Sequence, residues 1–222
     1  MAFFASFAGS RATSARFTLA SWGAAVADVQ LADDAEAATR GTLTIGDLSL
    51  VMSALRDGTF TGARAARLVG GAGGWRTVAP RQAYADPKGV KLATVVRDAA
   101  AKVGESVNLS TAFASRVLGQ FWARAEGPAS AVLTETVRRA WWVDPLGVTQ
   151  IGERPTTTIT TGFDVLDYRP NLGLVVIATE TLAPWVPGAV FKSPLLRSPL
   201  TASSVTISMN PKGKLRVEVL TA

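Results

Sequence analysis

The sequence predicts a mainly β fold with a minor α part, that is, an α+β protein. Apolar and polar residues alternate near both ends of the chain, which is the pattern of strands with one buried face. Helical spacing of apolar residues is confined to the middle of the chain. Of the 222 residues, 48% are hydrophobic, which is ample for a packed core in one large or two small domains.

Short strands account for the first 70 residues. Residues 14–19 alternate, with Phe17 at the centre of the apolar face, and residues 42–45 repeat the pattern. Gly46-Asp47 and Asp57-Gly58 are turn sequences. Each is expected to lead into a further strand, the second of them near residues 64–69.

Three helices are predicted in the middle of the chain. The first covers residues 92–103, whose apolar side chains fall on one face, and Gly104 ends it. The second runs from Ser110 or Thr111 to about Phe121. The third begins at Pro128, a residue well suited to a first helical turn.

Strands return after the helices. Residues 141–143 and 148–151 flank a tight turn and predict a hairpin, and residues 174–177 predict a strand buried on both faces. Residues 205–209 and 215–219 predict a final hairpin with one wet face. These changes of period divide the chain into an N-terminal β domain (1–85), helical segments with a hairpin (86–152) and a C-terminal β part (153–222).

Histidine and cysteine are both absent from the sequence. Their absence excludes Ser-His-Asp triads, thiol proteases, disulfides and ordinary zinc sites. We therefore expect no cofactor and no metal. An enzyme of this composition would have to depend on carboxylates, lysine or tyrosine.

The glycine-rich run at residues 70–74 does not fit a phosphate-binding loop. A G-x-G-x-x-G pattern starting at Gly71 would need glycine where Arg76 stands, and the G-K-[ST] ending is missing. The run is therefore interpreted as a flexible connector or a close-packed turn.

Acidic residues cluster in two places. Asp33, Asp34 and Glu36 lie among alanines, whereas Asp164 and Asp167 lie near a strand end. Either set could bind a cation or do acid–base work. Such groups are also common in the solvated loops of β proteins.

Tryptophan supplies the interface candidates. Trp141 and Trp142 are adjacent in a strand, so one indole points to each face and at least one could contact a partner. Trp185 lies in a loop bounded by prolines. We expect all three residues at subunit interfaces, and sugar binding by exposed tryptophans is the alternative.

Charge and hydropathy restrict the partners. The chain has 23 basic and 17 acidic residues, and its arginines are spread singly along the sequence, as in ordinary surface or interface use. No apolar run approaches the length of a membrane span, so no membrane anchor is expected.

In their order along the chain, these pieces resemble the baseplate hub proteins of tailed bacteriophages, a group related to the spike bases of contractile injection systems. The likeness rests on the small-residue helix at 92–103, the following Gly104 and the W-x-D-x-x-G pattern of Trp142, Asp144 and Gly147. Val186-Pro187-Gly188 resembles the P-G turn of the family's closing β-barrel, and residues 201–220 resemble its last hairpin.

This resemblance implies two barrel-like β domains with a helix–hairpin module between them. It also implies a homotrimeric, non-enzymatic ring around the tail axis of the virion, assembled in the host cytoplasm. The implied partners are the distal tail or tube protein, the tape-measure protein and tip or fibre proteins, and DNA would pass through the lumen.

Two alternatives stay open at this point. The first is a carboxylate-dependent hydrolase of cell-wall glycan that uses Asp164 or Asp167. The second is a sugar- or oligonucleotide-binding β-barrel module.

Overall fold

The computed structural model of the chain describes residues 3–32, 38–60 and 63–221. The strands are β1 (Ala5–Phe7), β2 (Ser10–Ala20), β3 (Val26–Leu31), β4 (Arg40–Ile45), β5 (Leu48–Phe60), β6 (Ala63–Gly70), β7 (Val78–Ala79), β8 (Gln82–Ala85), β9 (Val107–Leu109), β10 (Phe121–Arg124), β11 (Gly127–Pro128), β12 (Trp141–Val143), β13 (Thr149–Ile151), β14 (Thr157–Ile159), β15 (Phe163–Arg169), β16 (Leu174–Thr179), β17 (Ala189–Phe191), β18 (Leu200–Met209) and β19 (Leu215–Thr221). The α-helices are α1 (Leu92–Lys102), α2 (Thr111–Ala114) and α3 (Ser130–Thr136). The mainly β fold with a minor α part is confirmed.

The N-terminal strands close into a six-stranded barrel. Its order is β1-β4-β5-β6-β3-β2, and β1 closes it by pairing with the first residues of β2. Closure follows from the alternating sequence, because every second side chain of β2 from Ala15 to Leu19, and of β4 from Leu43 to Ile45, is apolar and buried. The strand predicted around Phe17 and the strands on either side of Gly46-Asp47 are confirmed.

The C-terminal strands continue the same sheet. β18 pairs with the second half of β2, from Ala15 to Ala20, and the order then runs β19, β16 and β15. The first two residues of β18, Leu200 and Thr201, pair with β17, which in turn pairs with β14. The predicted final hairpin and the strand at 174–177 are confirmed. The division at 85/86 and 152/153 stays a prediction, and strands from the first and third of those parts are hydrogen-bonded to each other.

The two β regions also share one hydrophobic core. Phe7, Phe17 and Leu68 come from the N-terminal strands, whereas Ile207 and Val217 come from the C-terminal pair, and all of them are almost fully buried. Each such side chain contributes about 1.5–3 kcal/mol of burial free energy. Stability is therefore spread across both ends of the chain.

A second core lies under the helices. Residues 92–100 of α1 turn their apolar face inward, as their spacing predicts, and pack with α3 and the β12–β13 hairpin. Gly104 has a φ of +70°, a conformation that favours glycine after a helix. The first and third predicted helices and the hairpin are thereby confirmed, although α3 begins at Ser130 and not at Pro128.

The second predicted helix is wrong beyond its first turn. α2 ends at Ala114, and the next residues run alongside residues 90–92. Leu118 donates its N–H to the Val90 carbonyl at 2.9 Å, and Val90 donates to the Gly119 carbonyl at 2.7 Å. These long-range bonds replace the local helical ones, so tertiary pairing overrides the periodic pattern.

The turn predicted at Asp57-Gly58 is also wrong. Both residues lie within β5, which continues to Phe60 opposite β6 and absorbs a bulge between Ala54 and Arg56. Asp57 pairs with Arg64 of β6 across the ladder. The strand predicted at 64–69 is confirmed as β6.

No helix among the described residues is both long enough and apolar enough to cross a membrane.

Candidate subunit interface

β12 places its two tryptophans on opposite faces, as strand alternation requires. Trp141 is 6% exposed and packs in the second core, where its ring centroid lies 6.5 Å from that of Trp75. Trp142 is half-buried on the opposite face. Of the pair, Trp142 is the one whose indole can reach a partner.

Trp185 lies inside the first core. It is 1% exposed, and its ring centroid is 5.0 Å from that of Phe163 and 5.4 Å from that of Phe191, in edge-to-face packing. Contact through this indole would require the core around it to open. The interface roles of Trp141, Trp142 and Trp185 stay predictions, and Trp142 has the most accessible indole of the three.

Trp142 forms one wall of a groove between the β12–β13 hairpin and the barrel. The groove has a volume of about 520 Å³. Leu19 and Leu50 of the barrel and Pro145 and Val186 of the loops supply its apolar walls. An apolar groove with an aromatic wall is the kind of surface that a partner side chain fills.

Arg154 lies over the indole in this groove. Its guanidinium carbon is 5.1 Å from the Trp142 ring centroid, a cation–π distance. Nη1 donates a hydrogen bond of 3.5 Å to the Pro187 carbonyl, and the buried Nε has no partner among the described residues. Burial lowers the pKa of Arg154 to about 10.

The nearby carboxylates do not neutralise this cation. Asp144 is turned towards its own hairpin, and no ion pair joins Arg154 to Glu153 within the described residues. The Arg154 guanidinium in the groove is therefore partly removed from solvent and has no carboxylate beside it to balance its charge. The role of Arg154 could not be predicted from the sequence, because nothing local indicates that the chain returns to Trp142 after Gly152.

The hairpin is held against the barrel by the residues of the W-x-D-x-x-G pattern. Oδ1 of Asp144 accepts the N–H groups of Leu146 at 3.0 Å and Val148 at 2.9 Å, which fixes the turn. Gly147 has a φ of +81°, and a Cβ there would lie 3.1 Å from Cγ1 of Val51 in β5. The pattern therefore has a structural basis, since Asp144 shapes the turn and Gly147 allows it to approach the barrel.

The glycine-rich run is a close-packed turn. Gly74 donates its N–H to Oε1 of Glu105 at 2.7 Å, and the Glu105 side chain is buried. The neighbouring Trp75 donates from Nε1 to Oγ1 of Thr149 at 2.7 Å. An internal carboxylate thus occupies the position at which a phosphate loop would hold its ligand.

The acidic candidates do not assemble into a site among the residues that the structure covers. Asp164 is exposed on β15, and Asp167 pairs with Arg169 of the same strand at 2.8 Å. No group of three or more acidic, histidine or cysteine residues suited to a metal occurs in the described part of the chain. Asp33, Asp34 and Glu36 lie outside the described residues.

Solved structures provide the comparison for this fold. A tail protein from Neisseria meningitidis MC58 matches with a TM-score of 0.65 and 12% identity, over 100% of this chain and 96% of that one. The chain has the fold of a phage tail protein. A 43 kDa tail protein of prophage MuSo2 from Shewanella oneidensis matches with a TM-score of 0.63 and 11% identity, over 99% and 97% of the two chains.

The tail-protein fold extends to secretion systems. An Escherichia coli component of the type VI secretion system, described as structurally similar to the T4 bacteriophage tail proteins gp27 and gp5, matches with a TM-score of 0.64 and 11% identity, over 98% of this chain and 76% of that one. No protein-family model and no curated protein matches the chain. The predicted resemblance to tail hub proteins is thereby confirmed at the level of fold.

Proposed function

We propose that the chain is a structural, non-enzymatic component of a phage tail tip or baseplate. In this proposal it is a hub-like homotrimer that forms a ring around the tail axis, connects the tail tube to the tip and lets DNA pass during genome ejection. The observation that carries the proposal is the fold match to two phage tail proteins, which covers 96% and 97% of their chains.

The groove at Trp142 supports the assembly part of the proposal. Tryptophan and arginine are the residues most enriched at the centres of protein interfaces. Here they are stacked together, half-buried, beside apolar walls. A carboxylate from a neighbouring subunit would pair with Arg154, whose Nε lacks a partner among the described residues.

The proposed partners follow from the proposed position of the chain between the tail tube and the tip. They are other copies of this chain, the distal tail or tube protein, the tape-measure protein and tip or fibre proteins. The proposed location is the virion tail, with assembly in the host cytoplasm. No specific observation favours the glycan hydrolase or the sugar-binding module.

The mass of the purified protein tests the assembly. Light scattering after size-exclusion chromatography is expected to give about three times the 23.2 kDa mass of one chain for the protein alone, or a complex with three copies of the chain after addition of the tail-tube protein. Trp142→Ala should weaken the trimer at least tenfold in dissociation constant, because an interface tryptophan contributes about 2 kcal/mol or more. Trp22→Ala is the matched control, since Trp22 is 41% exposed and lines a different groove.

Arg154→Met separates assembly from folding in the same experiment. Removal of a partly buried, unpaired charge should leave the free energy of unfolding of the single chain unchanged or raise it by up to about 1 kcal/mol. The trimer should nevertheless weaken. A chain that stays monomeric with tail proteins, or that degrades peptidoglycan and loses this activity in Asp164→Asn or Asp167→Asn, would contradict the proposal.

A further inference from the structure

A row of charged residues crosses the outer face of the large sheet. It takes one residue from each of six neighbouring strands, and each residue lies directly opposite the next in the strand register. We call this set the arginine row, and its members in order are Arg56 (β5), Arg67 (β6), Asp28 (β3), Arg16 (β2), Ser208 (β18) and Arg216 (β19).

The arginine row faces away from the core. Its four arginines and Asp28 are exposed, and Ser208 is half-buried. The next residues along the strands, such as Phe17 and Ile207, point into the first core. Because neighbouring strands lie about 4.8 Å apart, the row extends over about 24 Å.

The charges of the row are poorly balanced within the chain. Arg56 and Arg67 face each other directly, an arrangement of like charges that destabilises a sheet. Arg67 pairs with Asp28 at 3.5 Å, and Arg216 pairs with Glu218 at 2.8 Å. Arg16 and Arg56 make no ion pair with any residue that the structure describes. A row with this excess of cations attracts an anion.

The positions beside the row indicate which kind of anion. On one side lie Gly58, Ala65 and Gln30. On the other side, Trp22 and Leu55 line a groove together with Arg56 and Arg67, at one end of the row. A protein partner would need such apolar or aromatic anchors at the centre of its contact, whereas these lie beside one end of the row only. A phosphate backbone needs only a line of guanidinium groups, which bind phosphate oxygens in a bidentate manner.

We propose that the arginine row binds the phosphate backbone of nucleic acid. This inference deepens the proposed function, because it assigns the contact made by the passing DNA to one face of the sheet. It rests on that function for its biological setting. The binding itself can be measured on the purified chain in any oligomeric state.

Fluorescence anisotropy with a short labelled DNA duplex of mixed sequence tests the proposal. For the unaltered chain, four phosphate contacts predict that the logarithm of the association constant falls with the logarithm of salt concentration with a slope of about −3.6. The double variant Arg16→Ser, Arg56→Ser should reduce the slope to about −1.8 and lower the affinity at least about tenfold at low salt.

The matched control is the double variant Arg81→Ser, Arg97→Ser. Both of these arginines are exposed and make no ion pair within the described residues; Arg81 directly precedes β8 and Arg97 lies in α1. The control removes the same net charge and should leave the slope unchanged. Thermal unfolding of all variants checks that they are folded.

Three outcomes would overturn the inference. They are no binding of the duplex, an equal loss of slope in both double variants, and displacement of the duplex by poly-glutamate at an equal concentration of charges. The last result would indicate an acidic protein as the partner. If the trimer forms but the duplex does not bind, the inference fails while the proposed structural function stands.

Discussion

At Gly74 the backbone passes so close to the end of α1 that no side chain fits. A Cβ built there would lie 2.0 Å from the Val103 carbonyl oxygen. The neighbouring atom belongs to the backbone, so it cannot move aside as a flexible side chain would. The same residue donates to Glu105, which ties the glycine turn to the second core.

Gly74→Ala should therefore lower the free energy of unfolding by about 3 kcal/mol, because both the backbone and the Glu105 bond must shift. Urea denaturation followed by tryptophan fluorescence measures this loss. Gly127→Ala is the control, since a Cβ at Gly127 meets nothing within 4 Å, and it should change stability by less than about 0.5 kcal/mol. Equal stability of the two variants would contradict the close packing described for Gly74.

Individual residues show what local sequence can and cannot indicate. Strand alternation was sufficient to place Trp141 and Trp142 on opposite faces. It could not place Trp185, because a loop bounded by prolines has no period from which burial can be read. Arg154 was missed for a related reason, since its role depends on the Trp142 ring. For the run that contains Gly74, the sequence left both a flexible connector and a close-packed turn open, because only the folded chain brings the Val103 carbonyl near it.

Among the elements, the β8–β10 ribbon is joined to α1 by a polar network. Tyr84 of β8 donates from its hydroxyl to Oδ2 of Asp98 in α1 at 2.6 Å. Nη1 of Arg124 in β10 lies 3.5 Å from the same oxygen, and the Arg124 side chain is 3% exposed. Asp98 is the anion of this pair, and its loss would leave a buried guanidinium without a counter-charge.

Asp98→Asn is therefore expected to lower the free energy of unfolding by about 3 kcal/mol in urea denaturation at pH 7. The double variant Asp98→Leu, Arg124→Met removes both charges and should recover most of this loss. If the double variant is as unstable as Asp98→Asn, the cause is lost packing and not the unpaired charge.

The pH at which the Asp98 variants are compared matters, because Tyr84 is an acidic group in the same network. Burial, together with the hydrogen bond that Tyr84 donates to Asp98 and the negative charge of Asp98, raises the pKa of Tyr84 above its ordinary value. A tyrosine whose pKa is higher in the folded chain than in the unfolded chain stabilises the fold at pH values below its unfolded pKa, which is near 10. This stability is lost as the pH rises from there through the pKa of the folded chain. At pH 7 this contribution is present in full, so the effect of Asp98→Asn includes it.

Elements were predicted best where local pattern and tertiary pairing agree. Helix α1 has both a continuous apolar face and a second core to receive it. The apolar residues Phe113, Val117 and Phe121 have the same helical spacing, yet residues 116–119 pair with residues 90–92. Phe121 is 78% exposed and lies in β10, opposite Ala85 of β8. Asp57-Gly58 has turn chemistry, but the long ladder between β5 and β6 keeps it extended.

For the whole molecule, strand register decides which distant residues become neighbours. The arginines of the row are scattered singly in the sequence and become one line only through five antiparallel pairings. Alternation predicts that they face outward. It does not predict their register, because a shift of two residues preserves the same inward and outward faces.

Because strands from both ends of the chain share one sheet, the boundary predicted at 152/153 can be tested by truncation. In the strand register Phe17 of β2 lies opposite Ile207 of β18, and Leu19 lies opposite Val205, all of them within the first core. A chain truncated after Gly152 lacks Ile207 and Val205, so Phe17 and Leu19 would lose their partners and become exposed at a cost of about 1.5–3 kcal/mol each. Two such losses are already a large part of the whole stability of an ordinary domain, which is about 5–15 kcal/mol.

We therefore expect residues 1–152 alone to lack a cooperative unfolding transition and to lose hydrogen-exchange protection in β2 and β3. Co-expression of residues 153–222 should restore both, because it returns β18 to the free edge of β2 and the apolar side chains of β18 and β19 to the core. If the truncated chain unfolds cooperatively and keeps its protected amides, the six-stranded barrel is an independent domain. The boundary would then mark a true division of the fold, although the sheet crosses it.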